Sequence, residues 1–378
     1  MGGPPPNWRR VVRVISWVVA ACALGFLVWI IPVRDRCWDP QAPATTRVAV
    51  SREGSSCTLH LRTGPVTVGA AACARLECEP GVASALERAR PLVLAVLLVL
   101  YAGGSLAWAA RWRALLGFAG IDLRLSQVWR ISTEAQAGGV LLPGGIGGDA
   151  LRIASVLARP TRAGEARASA AIVVASVLLD RALGLSVIAG LAAVLGLAWG
   201  GVHAGPLVVL LAGIPVAFLL GLRWLRHPAL RDISWSPARR LGGWLAPVLA
   251  YMGHPRAPRA IAIAAMMSLG VAGTQFTVIR GLVFALGAVP TEEKWVYVGT
   301  AMALIVAAIP ALPGGWGTAD AAYVFFFGLA GLRPGIALAV CLLYRLFWYI
   351  SAAVGAVLQL TRPDNARIET ASTPPNMT

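Results

Sequence analysis

The sequence predicts an all-α polytopic membrane protein: two inverted-repeat halves with glycine-rich re-entrant or broken helices, plus a small disulfide-stapled extracytoplasmic insert. Three observations predict it. The first is composition, 57% hydrophobic and 13% charged over 378 residues with a mean hydropathy of +0.70, which leaves no separate soluble domain of ordinary size. The second is a matched pair of interruptions in apolar sequence, Pro143-Gly144-Gly145-Ile146-Gly147-Gly148-Asp149 and Pro313-Gly314-Gly315-Trp316-Gly317-Thr318-Ala319-Asp320. The third is one extended polar stretch that holds four of the six cysteines.

Residues 1–31 read as a basic tail, with Arg9, Arg10 and Arg13, followed by a first transmembrane helix from Val14 to Ile31. No small-residue cleavage site follows that run, so it is read as a signal anchor. Residues 32–90 form the Cys-rich extracytoplasmic insert. Arg47 to Val50 and Cys57 to Arg62 alternate apolar and polar residues about a Glu53-Gly54-Ser55-Ser56 turn, the pattern of a hairpin. The even set Cys37, Cys57, Cys73 and Cys78 points to two disulfides in an oxidising compartment, with the pairing left open. The spacings lack a repeated Cys-x-x-Cys, which makes zinc the weaker alternative.

Residues 91–222 make the first half. Pro91 to Ala110 spans, and Arg111, Arg113, Arg124 and Arg130 mark a cytosolic loop with an interfacial helix bearing Trp112 and Trp129. Arginines return at 152, 159, 162 and 167, so Ser132 to Leu157 enters and leaves on one face as a re-entrant hairpin. Ser169 to Trp199 is one tilted helix or a helix pair, and Gly205 to Leu222 crosses again. Residues 223–259 form a basic cytoplasmic loop in which Asp232 is the lone acid. In the second half, 260–361, Ala260 to Val289 crosses, Glu292 and Glu293 lie in a short outer loop, and Trp295 to Gly331 folds as a second hairpin. Its flanks are nearly free of arginine, so it opens from outside, as inverted-topology repeats require. Gly335 to Leu360 returns inward, and residues 362–378 are a disordered cytoplasmic tail. Both termini are then cytoplasmic.

A formal charge of +16 would suit nucleic acid in a soluble protein, but here the arginines separate apolar segments, so topology explains them and no nucleic-acid partner is expected. The four histidines have no ligand spacing, and neither a nucleotide-binding loop with its lysine nor a nucleophile motif is present. No enzyme activity, metal or cofactor is expected.

The candidate site residues are the breaks themselves, Pro143, Gly144, Gly145, Gly147, Gly148, Pro313, Gly314, Gly315 and Gly317, with the charged residues Asp149, Arg152, Asp180, Arg181, Asp320 and Arg345. Glu134 and Arg280 also fall in or beside apolar segments. A charge at a helix centre in lipid costs roughly 2.5–3.5 kcal/mol on insertion scales, so each needs a partner, water or a purpose. Arginine suits a phosphate group through its forked donors, and helix N-termini after glycine breaks attract anions. Asp149 and Asp320 suit a substrate ammonium or a coupling proton. A purely structural role competes, in which each acid neutralises an arginine or caps the helix behind its glycine loop.

At Pro143 to Arg152, Asp180-Arg181, Pro313 to Asp320 and Arg345 the sequence resembles the family of integral membrane proteins named for the lysylphosphatidylglycerol synthase transmembrane region, the flippase-like domain. The resemblance covers about residues 90–360. It implies a bacterial inner-membrane transporter that moves an anionic-headgroup lipid or polyprenyl-linked intermediate between leaflets, with membrane lipids and a lipid-modifying enzyme or glycosyltransferase as partners. Asp180 and Asp320 stand where the family often has glutamate, and only a short polar segment follows the last helix, so the synthase's aminoacyl-transferase domain is not expected. Two other functions fit the residues: a proton-coupled small-solute transporter working through Asp149 and Asp320, and a non-transporting membrane subunit that assists a glycosyltransferase or lipid synthase.

Overall fold

The computed structural model describes residues 35–38, 48–53, 56–61, 64–118, 120–141, 146–159, 170–198, 205–225, 257–308 and 316–361. The expected first transmembrane helix, most of the basic loop, the C-terminal tail, and the turn residues Pro143, Gly144, Gly145, Pro313, Gly314 and Gly315 lie outside them. The chain divides into two compact units, one of residues 1–99, 276–307 and 315–346, the other of residues 100–275, 308–314 and 347–378.

The first unit begins with five strands, β1 (Asp35–Trp38), β2 (Val48–Glu53), β3 (Ser56–Leu61), β4 (Gly64–Val68) and β5 (Glu77–Glu79), with α1 (Ala70–Arg75) between the last two. They form one antiparallel sheet in the order β4-β3-β2-β1-β5. The expected hairpin is its β2-β3 pair, closed at Glu53 opposite Ser56. The cysteines pair as Cys37–Cys78, joining facing residues of β1 and β5, and Cys57–Cys73, tying β3 to α1. Cys37 and Cys57 are buried among Leu59, Val68 and Leu76, so the staples themselves make much of this small core.

A short helix, α2 (Val82–Glu87), follows the sheet. Asp35 accepts from the Gly81 N–H at 2.8 Å and from the Ser84 hydroxyl, which satisfies donors at the start of α2. The long helices are α3 (Pro91–Phe118), α6 (Ala170–Ala198), α8 (Ala257–Ala285) and α11 (Pro334–Leu360), each long and apolar enough to cross a membrane. Proline opens α3 and α11 at the first helical position, where no N–H bond is lost. Ser169 to Trp199 thus resolves as the single helix α6.

Between the long helices lie α4 (Leu125–Leu141) and α5 (Ile146–Leu157), α7 (Gly205–Leu225), and α9 (Glu293–Ala308) and α10 (Thr318–Leu329). Glu293, expected in a loop, opens α9 instead. Helix α3 also continues eight residues beyond the expected end of its span. Arg111 and Trp112, read as a cytosolic loop and interfacial helix, are therefore buried on α3, because Arg111 meets a carboxylate there and needs no water.

Candidate functional site

Each glycine break separates two antiparallel helices that pack on one another. In the second unit α4 runs against α5 with almost no space between backbones: a methyl group placed on Gly148 would lie 2.8 Å from the Ala135 carbonyl oxygen, and one on Gly138 would strike Leu151. Glycines here are needed for close approach. In the first unit α9 runs against α10. Gly299 faces Phe326, Trp295 stacks on Phe326, and the Thr291 N–H donates to the Ala330 carbonyl at 2.9 Å, closing the hairpin's open end.

The second helix of each hairpin carries its acid in the first turn, Asp149 on α5 and Asp320 on α10. Each acid meets an arginine on the long helix that follows. Asp149 Oδ2 accepts from Arg181 Nε on α6, and Asp320 accepts from Arg345 on α11 through Nε and Nη2 at 2.9 Å each. Asp320 Oδ2 also accepts from the Gly317 N–H at 2.8 Å, so this acid caps its helix and neutralises an arginine at once. Gly317 has φ +78°, a conformation open to glycine and strained for other residues. Trp316 lies under the Arg345 guanidinium at 4.5 Å, and the Cys341 thiol donates to Asp320 Oδ1 at 2.7 Å.

The first hairpin's network is larger. Asp180 Oδ1 accepts from Arg111 Nε on α3 at 2.6 Å, and its Oδ2 accepts from Arg152 Nη1 on α5 at 3.1 Å. Arg152 Nη1 also lies 3.8 Å from Asp149 Oδ1. Arg111 reaches on to Ser268 Oγ of α8 at 3.3 Å. Trp112 and Trp108 face the Arg152 guanidinium at 3.9 and 4.9 Å, close enough for cation–π attraction. Asp180 and Arg152 are each 1% exposed, whereas Asp149 and Arg181 are partly open.

Of the candidate residues, Gly147, Gly148, Asp149, Arg152, Asp180 and Arg181 therefore gather in one unit, and Gly317, Asp320 and Arg345 in the other. Arg280 stands apart, held by Glu293 at 2.7 Å, and Glu134 pairs with Arg130 one helical turn away at 2.8 Å. Sequence reasoning missed Arg111, Trp108, Ser268 and Cys341 as members of the networks. The one signal for Arg111 was its position at the end of a charge-free run, which equally marks a cytosolic boundary.

No curated protein and no solved structure matches the chain. The family described as the lysylphosphatidylglycerol synthase TM region matches residues 80–355, an interval that takes in both hairpins, three of the four long helices and all but the last five residues of the fourth. The chain is a helical multi-pass membrane protein and belongs to the lysylphosphatidylglycerol synthase TM region family.

Proposed function

We propose that the protein is a flippase-like transporter that moves an anionic-headgroup lipid or polyprenyl-linked intermediate between the leaflets of a bacterial inner membrane, with no enzymatic step of its own. The observation that carries this reading is the repeated construction at the two glycine breaks: an acid in the first turn of a hairpin's second helix, paired with an arginine on the next long helix. Ion pairs are a poor way to stabilise an apolar bundle, since desolvation offsets much of their attraction. Their placement twice, beside backbone breaks, suits a site that handles a charged headgroup. The hairpins would act as re-entrant elements of two inverted repeats, with both termini cytoplasmic and the disulfide-stapled insert outside. The substrate-binding set is then the glycine breaks with Asp149, Arg152, Asp180, Arg181, Asp320 and Arg345, and a lipid synthase or glycosyltransferase is the expected partner.

The test is leaflet exchange of fluorescent anionic phospholipid and of polyprenyl phosphate in proteoliposomes. Asp149→Asn and Asp320→Asn should each slow exchange at least about tenfold, the effect of one lost charge-assisted bond at the barrier. Undiminished exchange in both folded variants would sink the assignment of the site. No exchange by the folded native chain, with either substrate, would sink the transporter reading.

A further inference from the structure

Both edges of the disulfide-stapled sheet are obstructed. β3 and β4 close at Leu61 opposite Gly64 across a two-residue turn, so Pro65 is a position whose backbone points away from β3, and proline has no N–H to offer a further strand there. The opposite edge, β5, is met from within the chain. Arg333 donates through Nη1 to the Cys78 carbonyl, and a methyl group on Gly335 would strike the Pro80 carbonyl oxygen. Both contacts fall on the stretch from Cys78 to Gly81, which is tied to β1 at each end. The Cys37–Cys78 bridge fixes one end, and Asp35 fixes the other by accepting from the Gly81 N–H at 2.8 Å and from the Ser84 hydroxyl.

Arg333 stands at the corner between α10 and α11. Its own carbonyl accepts from the Ala337 N–H at 3.0 Å, which starts α11, and the preceding Leu332 N–H donates to the Phe327 carbonyl of α10 at 2.9 Å. The helices on either side carry the two halves of a buried ion pair, Asp320 on α10 and Arg345 on α11. Cys341 monitors that pair: its buried thiol donates to Asp320 Oδ1 at 2.7 Å, so it stays covered while α10 and α11 keep their places. From Arg333 to Arg345 is roughly 18 Å along the axis at 1.5 Å per residue, and a helix carries a shift of its end along its length. A guanidinium fork bonded at 2.9 Å loses its bonds with a displacement of under about 1 Å. Sheet, corner and pair all belong to one compact unit.

Resting on the reading above, in which Asp320 and Arg345 belong to the translocating site, we propose that the stapled sheet is a brace for that site: the Cys78 to Gly81 stretch holds the α10–α11 corner through Arg333 and so sets how readily the Asp320–Arg345 pair opens. Arg333 is a positioning residue, acting through α11. The two bridges then have unequal roles. Cys37–Cys78 fixes the stretch that Arg333 grips, whereas Cys57–Cys73 joins α1 to β3, which lies two strands from β1 in the sheet.

The experiment is the rate at which N-ethylmaleimide labels Cys341 in the full chain, read by mass spectrometry in maltoside detergent. Cys22→Ser in every sample leaves Cys341 as the unbridged thiol. Arg333→Ala keeps both bridges and should speed labelling at least about fivefold, the effect of one lost hydrogen bond from a charged donor. Arg333→Lys keeps a charged donor and should restore most of the protection. Cys37→Ser with Cys78→Ser should speed labelling at least as much as Arg333→Ala, and Cys57→Ser with Cys73→Ser should stay near the parent rate. Equal rates in parent and Arg333→Ala overturn the brace, whether or not the bridge variants fold. Equal acceleration by the two bridge variants also overturns it, because the sheet would then supply only general stability. Leaflet exchange separates the two readings. Faster labelling in Arg333→Ala with exchange unchanged would keep the brace and remove the pair from the translocating site; unchanged labelling, with exchange lost in Asp320→Asn, would do the reverse.

Discussion

Asp180 holds Arg111 on one oxygen and Arg152 on the other, and all three are buried. Removing it would leave two cations facing each other in an apolar interior. Asp180→Ala should therefore lower stability by about 3–5 kcal/mol, read as a fall in Tm in mild detergent. The Asp320–Arg345 pair separates stability from function more cleanly. Asp320→Ala should destabilise similarly, whereas Asp320→Leu combined with Arg345→Met should regain much of that loss, because no unpaired charge remains. Leaflet exchange should stay lost in the double variant. Recovery of exchange would mean that the pair is only a packing device. The acids and Arg152, Arg181 and Arg345 were legible in the sequence, since a charge inside an apolar run demands an explanation. Arg111 was not, because its partner lies 69 residues away and only the fold brings them together.

Among the elements, the α4–α5 hairpin depends on Gly148 most directly. A Cβ there would lie 2.8 Å from the Ala135 carbonyl oxygen, and backbone cannot rotate aside as a side chain can. Gly148→Ala should cost about 1–3 kcal/mol through overpacking. Gly103→Ala on α3 meets nothing within 4 Å and should be neutral or stabilising by up to about 1 kcal/mol. Equal Tm values for the two variants would refute the close approach. The start of α3 at Pro91 and, to within one residue, the extent of α11 were readable from apolar run length, whereas α3 runs eight residues past its expected end because Arg111 finds a partner inside the fold. What sequence left open was whether Ser169 to Trp199 bends, because no glycine or proline signal distinguishes one long helix from two; buried small residues along α6, among them Ala189, Ala192 and Ala193, show one packed helix.

For the whole molecule, two disulfides account for four of the six cysteines. Maleimide added to denatured, unreduced protein should label two thiols per chain, and six after reduction; four before reduction would exclude one bridge. Losing the Cys37–Cys78 bridge should cost about 2–5 kcal/mol of the insert's stability, measured by protease resistance. The β2-β3 hairpin was visible in the alternation of its residues, but β1, with Asp35, Arg36, Cys37 and Trp38, lacks a clear apolar face and becomes a strand through its neighbours β2 and β5. The edge formed by β5 also reaches far along the chain: Arg333 donates to the Cys78 carbonyl across 255 residues, and Gly335 lies against the Pro80 carbonyl. At about 5–20 residues per second, a ribosome needs roughly 13–50 s to make that interval. The disulfide-stapled module can thus emerge, oxidise and fold before the segment that will lean on it exists, and it serves as a finished seat for the last long helix. A nascent chain arrested near residue 300 should already carry the Cys37–Cys78 bond, whereas its reduction before release should delay or derail docking of residues 333–335.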